Sequence, residues 1–175
     1  MWQTVLIVIA VLIVGVLVAA AMRPSDFTVQ RSASIAAAPA KIYPFLVDFH
    51  QWPAWSPWEK LDPGMKRTHS GAPSGPGAVY AWEGSSKVGA GRMEIKDAAA
   101  ASKVLIQLDF LRPFEAHNIT EFTLAPRADA TEVTWQMRGP APFVSKVMGL
   151  FVNMDKMIGK DFEKGLANLK AAAEK

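Results

Sequence analysis

Two carboxylates have a type and a position that suit acid or base chemistry. Asp155 and Asp161 flank the apolar stripe of a predicted C-terminal helix. Burial shifts the pKa of a carboxylate and can suit it to proton transfer. A carboxylate on such a flank also commonly meets a backbone NH, a basic side chain or water. The sequence therefore nominates these groups without assigning a catalytic residue.

The sequence contains no motif that is typical of a metal or cofactor site. His50, His69 and His117 are far apart and form no HExxH or other ligand spacing, and the chain has no cysteine, which excludes disulfides, thiolate metal sites and cysteine nucleophiles. There is no G-x-S-x-G elbow and no P-loop, and the glycines at 89 and 91 are too few for a dinucleotide fingerprint. We predict neither a metal nor a cofactor.

Aromatic and methionine side chains suit a different task, the binding of an apolar molecule. Residues 52–58 place three tryptophans three apart with prolines between them, a pattern that predicts a loop or a single helical turn. These rings can form the rim of a pocket, or pack short helices against a sheet. Tyr80 and Trp82 share one face of a predicted strand, where their OH and NH groups can orient a polar ligand group.

The same alternation adds further candidates for the wall of a pocket, and the C-terminal helix supplies methionines that adapt to apolar ligands. Ordinary core packing would explain each of these residues individually. The residues predicted to contact a ligand are Trp55, Trp58, Tyr80, Trp82, Met93, Phe110, Trp135, Met148, Phe151 and Met154.

A long helix over residues 143–173 must position much of this set. Its apolar residues recur in steps of three and four and form one stripe, while lysines occupy the opposite side. Pro142 suits the first turn. Gly165 lies within the stripe, where close approach to a sheet, space for a ligand or simple tolerance would each explain it.

The segment before this helix is predicted to supply the sheet. Alternation is clearest where Val133, Trp135 and Met137 face one way and polar residues face the other. Short connections favour antiparallel hairpins, so we predict an α+β fold in which a curved antiparallel sheet wraps around the C-terminal helix. The predicted strands cover residues 27–35, 65–69, 78–83, 91–96, 103–111, 118–124 and 131–138.

The N-terminus predicts a membrane anchor. Residues 2–22 carry no charged side chain and are mostly Val, Leu, Ile and Ala, which is long enough to cross a bilayer as one helix. A cleaved signal peptide is the alternative, favoured by the alanines at 19–21 but not by the absence of basic residues before the span. We divide the chain into an anchor, 1–23, and a ligand-binding domain, 24–175. Arg23 and Arg31 follow the span, which favours a cytoplasmic domain.

Net charge does not point to nucleic acid. The chain carries 19 basic and 16 acidic residues, for a formal charge of +3, and offers no general electrostatic case for a polyanionic partner. Lys156, Lys160 and Lys164 form a basic ridge, which fits a solvated helix face or contact with anionic lipid.

The chain from Phe27 onward resembles the helix-grip proteins of the SRPBCC superfamily, which includes START and Bet v 1-like proteins. More specifically, it resembles bacterial polyketide cyclase/dehydrase-type members that carry an N-terminal membrane segment. The resemblance implies an apolar cavity between the sheet and the long helix, for lipids, sterols, polyketides or similar molecules. It does not choose among carriers, regulators and enzymes. The matching stretches are residues 52–59, 70–77, 80–84, 148–151 and 154–162.

We therefore predict a membrane-anchored protein that binds a hydrophobic small molecule, with an unknown oligomeric state. The first alternative is a cyclase or dehydratase-type enzyme that uses the same pocket and needs a buried titratable residue. The second is a protein-interaction module whose core is filled, which predicts the absence of a cavity of several hundred cubic ångströms.

Overall fold

The computed structural model describes residues 2–175. The chain begins with a long apolar helix, continues through a sheet interrupted by short helices, and ends with two helices. The helices are α1 Trp2–Ala21, α2 Pro39–Val47, α3 Phe143–Met148 and α4 Met154–Ala173, with one 3-10 helix at Phe49–Ala54. The strands are β1 Asp26–Ile35, β2 Lys66–Gly71, β3 Ala78–Glu83, β4 Ala90–Ala99, β5 Lys103–Arg112, β6 Ala116–Arg127 and β7 Ala130–Pro140.

The seven strands form one antiparallel sheet in the order β1-β7-β6-β5-β4-β3-β2. The last strand therefore lies beside the first, and α4 packs across β1 and β7. This arrangement confirms the predicted α+β helix-grip fold with an N-terminal apolar helix. Alternation decides which residues meet α4, because successive side chains of a strand point to opposite faces.

The core lies between the concave face of the sheet and α4. Phe122, Val133, Trp135 and Phe162 are all almost fully buried there. The rings of Trp135 and Phe162 stack with centroids 4.1 Å apart, which joins β7 directly to α4.

The C-terminal helix differs from the prediction in one respect: it is two helices rather than one. The chain leaves helical geometry after Gly149, and Asn153 then caps α4 by accepting a hydrogen bond from the Lys156 NH at 2.9 Å. The break lets α3 pack against α1 while α4 packs against the sheet. As a result, Phe143 and Phe151 of the predicted stripe are exposed.

Gly165 marks a close approach between α4 and the sheet. A Cβ at this position would lie 2.7 Å from the Trp135 ring and 3.1 Å from Pro57. Such distances are too short for a side chain, so the glycine lets the helix backbone settle onto the indole. Of the three explanations for this residue, the structure shows the close approach.

The N-terminal helix α1 has the length and composition to cross a membrane, or to act as a signal sequence. It is exposed along nearly all its length, and Ala20 is its one buried residue within the described chain. An apolar helix left uncovered by its own protein needs an apolar environment from elsewhere.

Candidate functional site

A cavity of about 1080 Å³ separates the outer half of the sheet from α3 and the start of α4. Its volume slightly exceeds the range of roughly 300–1,000 Å³ that is typical of ligand pockets. The cavity opens at one end of the sheet, where exposed residues of the β5–β6 and α3–α4 connections, among them Phe114 and Phe151, form its mouth.

The floor of the cavity follows the register of the sheet. Tyr80 on β3 pairs with Met93 on β4, which pairs with Leu108 on β5, which pairs with Asn118 on β6. All four side chains line the cavity. A second row, formed by paired Thr120 and Met137, continues it toward the buried core.

Eight of the ten predicted ligand contacts lie on the cavity wall. They come from the turn after the 3-10 helix, four strands, the α3–α4 connection and α4, so the fold brings them together from most of the domain. Their role in binding remains a prediction. These residues are Trp58, Tyr80, Trp82, Met93, Phe110, Trp135, Phe151 and Met154.

Trp55 and Met148 lie outside the lining. Trp55 is 1% exposed, packs against Trp52, Phe122 and Trp135, and donates its indole NH to the Phe45 carbonyl at 2.8 Å. Its position is that of a core residue. Met148 ends α3 on the outer side and is half exposed, because the break after Gly149 turns this segment away from α4.

Sequence reasoning omitted several wall residues. Leu108 and Met137 share their strand faces with Phe110 and Trp135, so alternation alone would have included them. Ile158 and Phe162 lie on the predicted stripe of the C-terminal helix. The polar residues Asn118 and Thr120 carried no local signal, because only the sheet register places them among apolar neighbours.

A buried polar network occupies the β3 end of the wall. Tyr80 donates its hydroxyl proton to Oε1 of Glu59, and Arg67 donates from Nε to Oε2 of the same carboxylate at 2.7 Å. Arg67 also donates to the Glu59 carbonyl at 2.8 Å. Tyr80 and Glu59 are 4% and 8% exposed, so the carboxylate is paired on both oxygens inside a nearly dry site.

The phenol of this network is held in its neutral form. Burial raises the pKa of the Tyr80 hydroxyl well above its ordinary value, and the hydrogen bond to Glu59 raises it further. A phenol that keeps its proton remains a hydrogen-bond donor to Glu59. The Tyr80 oxygen still has lone-pair capacity toward a ligand OH or NH.

Three further polar atoms on the wall have no hydrogen-bond partner within residues 2–175. They are Oδ1 of Asn118, Oγ1 of Thr120 and Nε1 of Trp135. Asn118 and Thr120 follow one another on the same face of β6, and Trp135 is the diagonal neighbour of Thr120 on β7. Buried polar atoms are normally paired, so this concentration beside a cavity marks the wall as incomplete without a bound group or water.

Asp155 is not a free acid or base. Its two carboxylate oxygens each accept a hydrogen bond from the Arg31 guanidinium at 3.1 Å, and Glu163 accepts from Arg31 Nε at 2.8 Å. The contact with Arg31 lowers the pKa of the Asp155 carboxyl. Gly159 makes room for this contact, because the guanidinium lies where its Cβ would be. Asp161 lines the cavity and is partly buried.

The histidines form separate surface contacts. The rings of His50 and His69 stack at 4.2 Å, and His117 pairs with Asp109 at 2.8 Å on the other side of the sheet. Within residues 2–175, no three side chains of His, Asp or Glu come together in a group that could hold a metal.

Comparison with known proteins places this fold among solved structures. A Thermobifida fusca protein solved by NMR matches with a TM-score of 0.63 and 21% identity, over 83% of this chain and 92% of that one. Protein CV1439 from Chromobacterium violaceum matches with a TM-score of 0.62 and 14% identity, over 85% of this chain and 97% of that one. At these identities the likeness shows the fold alone. No curated protein matches the sequence.

The sequence itself also matches a family model. The model, described as "Polyketide cyclase / dehydrase and lipid transport", aligns with residues 26–174 and so covers every strand, α2, α3 and α4. This family and its SRPBCC-type fold suggest the binding of a hydrophobic ligand. The match covers far more than half of the chain, and the protein therefore belongs to the polyketide cyclase / dehydrase and lipid transport family.

Proposed function

We propose that this protein is a membrane-anchored binding protein that holds a hydrophobic small molecule in the cavity between its sheet and its C-terminal helices. The observation that carries the proposal is the cavity itself, about 1080 Å³ in volume and lined mainly by aromatic, methionine and aliphatic side chains. Such a wall favours an apolar guest, because binding removes apolar surface of both partners from water.

The polar groups of the wall narrow the chemistry of the guest. Nε1 of Trp135 can only donate a hydrogen bond, Oδ1 of Asn118 can only accept one, and the Thr120 hydroxyl can do either. A mainly hydrocarbon molecule with one or two hydroxyl or carbonyl oxygens would satisfy these groups. Lipids and polyketides both have this composition.

Tethering through α1 would serve such a function. A membrane-soluble ligand is concentrated in the bilayer, and an anchored domain stays beside that supply. The exposed apolar surface of α1 supports its assignment as an anchor. The cavity argues against the protein-interaction module with a filled core, because that alternative predicts no cavity of this size.

A second candidate is an enzyme that acts on the same guest, and the Tyr80–Glu59 pair is the observation that favours it. The pair places a hydroxyl and a carboxylate at the wall of an apolar cavity, where a substrate that replaces one of their hydrogen bonds would be within reach of proton transfer. In this version, Tyr80→Phe abolishes turnover of a bound substrate but leaves its binding intact.

The binding function is tested by identifying what the purified domain carries. Solved relatives consist almost entirely of this domain, as the 97% and 92% coverage of two of them shows, so residues 24–175 should fold without α1. The domain is purified without detergent, weighed by native mass spectrometry and then extracted into organic solvent. We expect a bound hydrophobic species in the extract. A domain that is empty and that also ignores an added panel of lipids and polyketides would contradict the proposal.

A further inference from the structure

A group of exposed apolar side chains surrounds the mouth of the cavity. We call it the apolar rim, and its members project from the β5–β6 connection, the α3–α4 connection and the first turn of α4. Phe114 and Phe151 are the most exposed, at 77% and 74%. Single exposed apolar residues are ordinary, but a collection of them around one opening indicates an interface. The apolar rim is Phe114, Phe151, Val152 and Met157.

The end of α1 is fixed beside this rim. Arg23 and Pro24, which follow the helix, line the mouth of the cavity, and the Arg23 guanidinium lies 2.8 Å from where a Gly149 Cβ would be. The Ser25 carbonyl accepts a hydrogen bond from the Ala141 NH at 2.7 Å, just before α3. Helix α1 also packs on α3. The chain therefore leaves α1 at the level of the cavity mouth.

We infer that the apolar rim inserts into the surface of the lipid bilayer, so that the cavity opens into the membrane rather than into water. This inference rests on the proposed role of α1 as a membrane anchor. Only residues 22–25 connect α1 to β1. If α1 crosses the bilayer, this short connection holds the rim at the level of the lipid headgroups. Arg23 and Lys146 lie beside the apolar side chains, an arrangement typical of interfacial segments.

Insertion gives the cavity its source of ligand. A hydrophobic molecule that moves from the acyl layer through the rim never exposes its hydrocarbon surface to water, so the barrier to entry is lower than for capture from solution. All four rim residues also belong to the wall of the cavity: Phe114, Phe151, Val152 and Met157. Membrane contact and ligand entry are thus assigned to one surface.

The depth of single labels in a membrane tests this inference directly. The chain has no cysteine, so a single introduced cysteine can carry an environment-sensitive fluorophore without other changes. The full chain is reconstituted into vesicles of phosphatidylethanolamine and phosphatidylglycerol, and lipids brominated at known positions report the depth of each label. The test positions are Phe114→Cys and Phe151→Cys, both exposed enough to accept a label.

Two further positions calibrate the measurement. Leu12→Cys lies within α1 and reports whether the anchor is inserted. Asp129→Cys lies in the β6–β7 turn, at the end of β6 farthest from the rim; a 12-residue strand spans roughly 35–40 Å, which places this label well outside the bilayer.

We expect strong quenching at Leu12, interfacial quenching at Phe114 and Phe151, and none at Asp129. Labels at Phe114 and Phe151 that stay in water while Leu12 is deep would overturn the inference, although α1 would remain an anchor. A Leu12 label in water would overturn the anchor and the inference together. Neither result bears on whether the cavity holds a ligand, which the extraction experiment decides separately.

A pair of charge substitutions adds a comparison between variants. Met157→Glu places a carboxylate in the apolar rim and should move the Phe151 label out of the bilayer. Thr134→Glu adds the same charge on the solvent-facing side of β7 and should leave the label depth unchanged. Equal depth in both variants would contradict insertion of the rim.

Discussion

Tyr80 and Glu59, which are 21 residues apart in the chain, share a hydrogen bond on the wall of the cavity. Glu59 lies in the turn that follows the 3-10 helix, whereas Tyr80 lies in the middle of β3. Their contact, completed by Arg67, closes one side of the cavity with a satisfied polar network rather than with apolar packing. The Tyr80 hydroxyl of this network is also a titratable group that makes the stability of the domain depend on pH.

The first prediction concerns the loss of this hydrogen bond. Tyr80→Phe leaves Oε1 of the buried Glu59 carboxylate without its donor, and we expect a loss of about 1–3 kcal/mol in the free energy of unfolding. Urea denaturation of the domain measures the change. Tyr43→Phe is the matched control, because it removes the one other phenol of the chain from a less buried site. Equal losses in the two variants would contradict a special role for the Glu59 contact.

The second prediction concerns alkaline pH. Because the pKa of Tyr80 is raised in the folded protein, the unfolded chain releases this proton first, starting near its ordinary pKa of about 10. Tyr80 therefore contributes stability that is present below about pH 10 and is lost as the pH rises above it. Unfolding free energies measured across this range should fall more steeply for the native sequence than for Tyr80→Phe. Parallel slopes would show that the phenol ionises in the folded state as readily as in the unfolded one.

The third prediction uses two glycines of α4. Gly165→Ala drives a methyl group against the Trp135 ring, which is held by stacking on Phe162 and cannot move aside. We expect overpacking to destabilise the folded protein by about 1–3 kcal/mol. This loss should exceed the stabilisation of about 1 kcal/mol that the higher helix propensity of Ala provides. Gly159→Ala displaces only the flexible end of Arg31, so its net effect on the melting temperature should be smaller. The reverse order would mean that Trp135 can rearrange.

The fourth prediction separates the cavity face of β5 from its outer face. Leu108→Trp fills part of the cavity and should reduce the amount of co-purifying ligand. Leu111→Trp makes the same change on the same strand at an exposed position, where ligand content should be unchanged. Native mass spectrometry gives the bound fraction for both variants. An undiminished ligand in Leu108→Trp, with the fold intact by circular dichroism, would place the binding site elsewhere.

The fifth prediction concerns the unpartnered hydroxyl of Thr120. Burying a hydroxyl without a hydrogen bond costs about 1–3 kcal/mol, so Thr120→Val should stabilise the ligand-free domain while weakening any ligand that bonds to this group. Thr134→Val on β7 is the control with the opposite sign, because its hydroxyl is paired with Ser32 at 2.8 Å. Thermal unfolding with and without ligand distinguishes the two. A destabilised Thr120→Val would indicate that an ordered water already satisfies the hydroxyl.

Much of the architecture could be predicted from local patterns in the sequence. Val133, Trp135 and Met137 alternate on β7 because a strand turns successive side chains to opposite faces, and this one repeat fixes which residues face α4. The apolar stripe of α4 follows in the same way from helical periodicity. The uncharged first 22 residues required no tertiary information to predict an apolar helix. These signals are local, so a single sequence contains them in full.

Tertiary structure decided what each inward-facing residue does there. Trp55 and Trp58 belong to the same series of tryptophans spaced by three. Trp55 is nevertheless buried in the core and Trp58 lines the cavity, because distant strands determine where the packing ends. The sequence left open whether the Asp155 carboxylate could act as an acid or base or would meet a basic side chain. The fold places Arg31 of β1 against it. Periodicity reports which way a side chain points, whereas strand register and the shape of the facing segments determine whether it meets a neighbour, a charge or an open cavity.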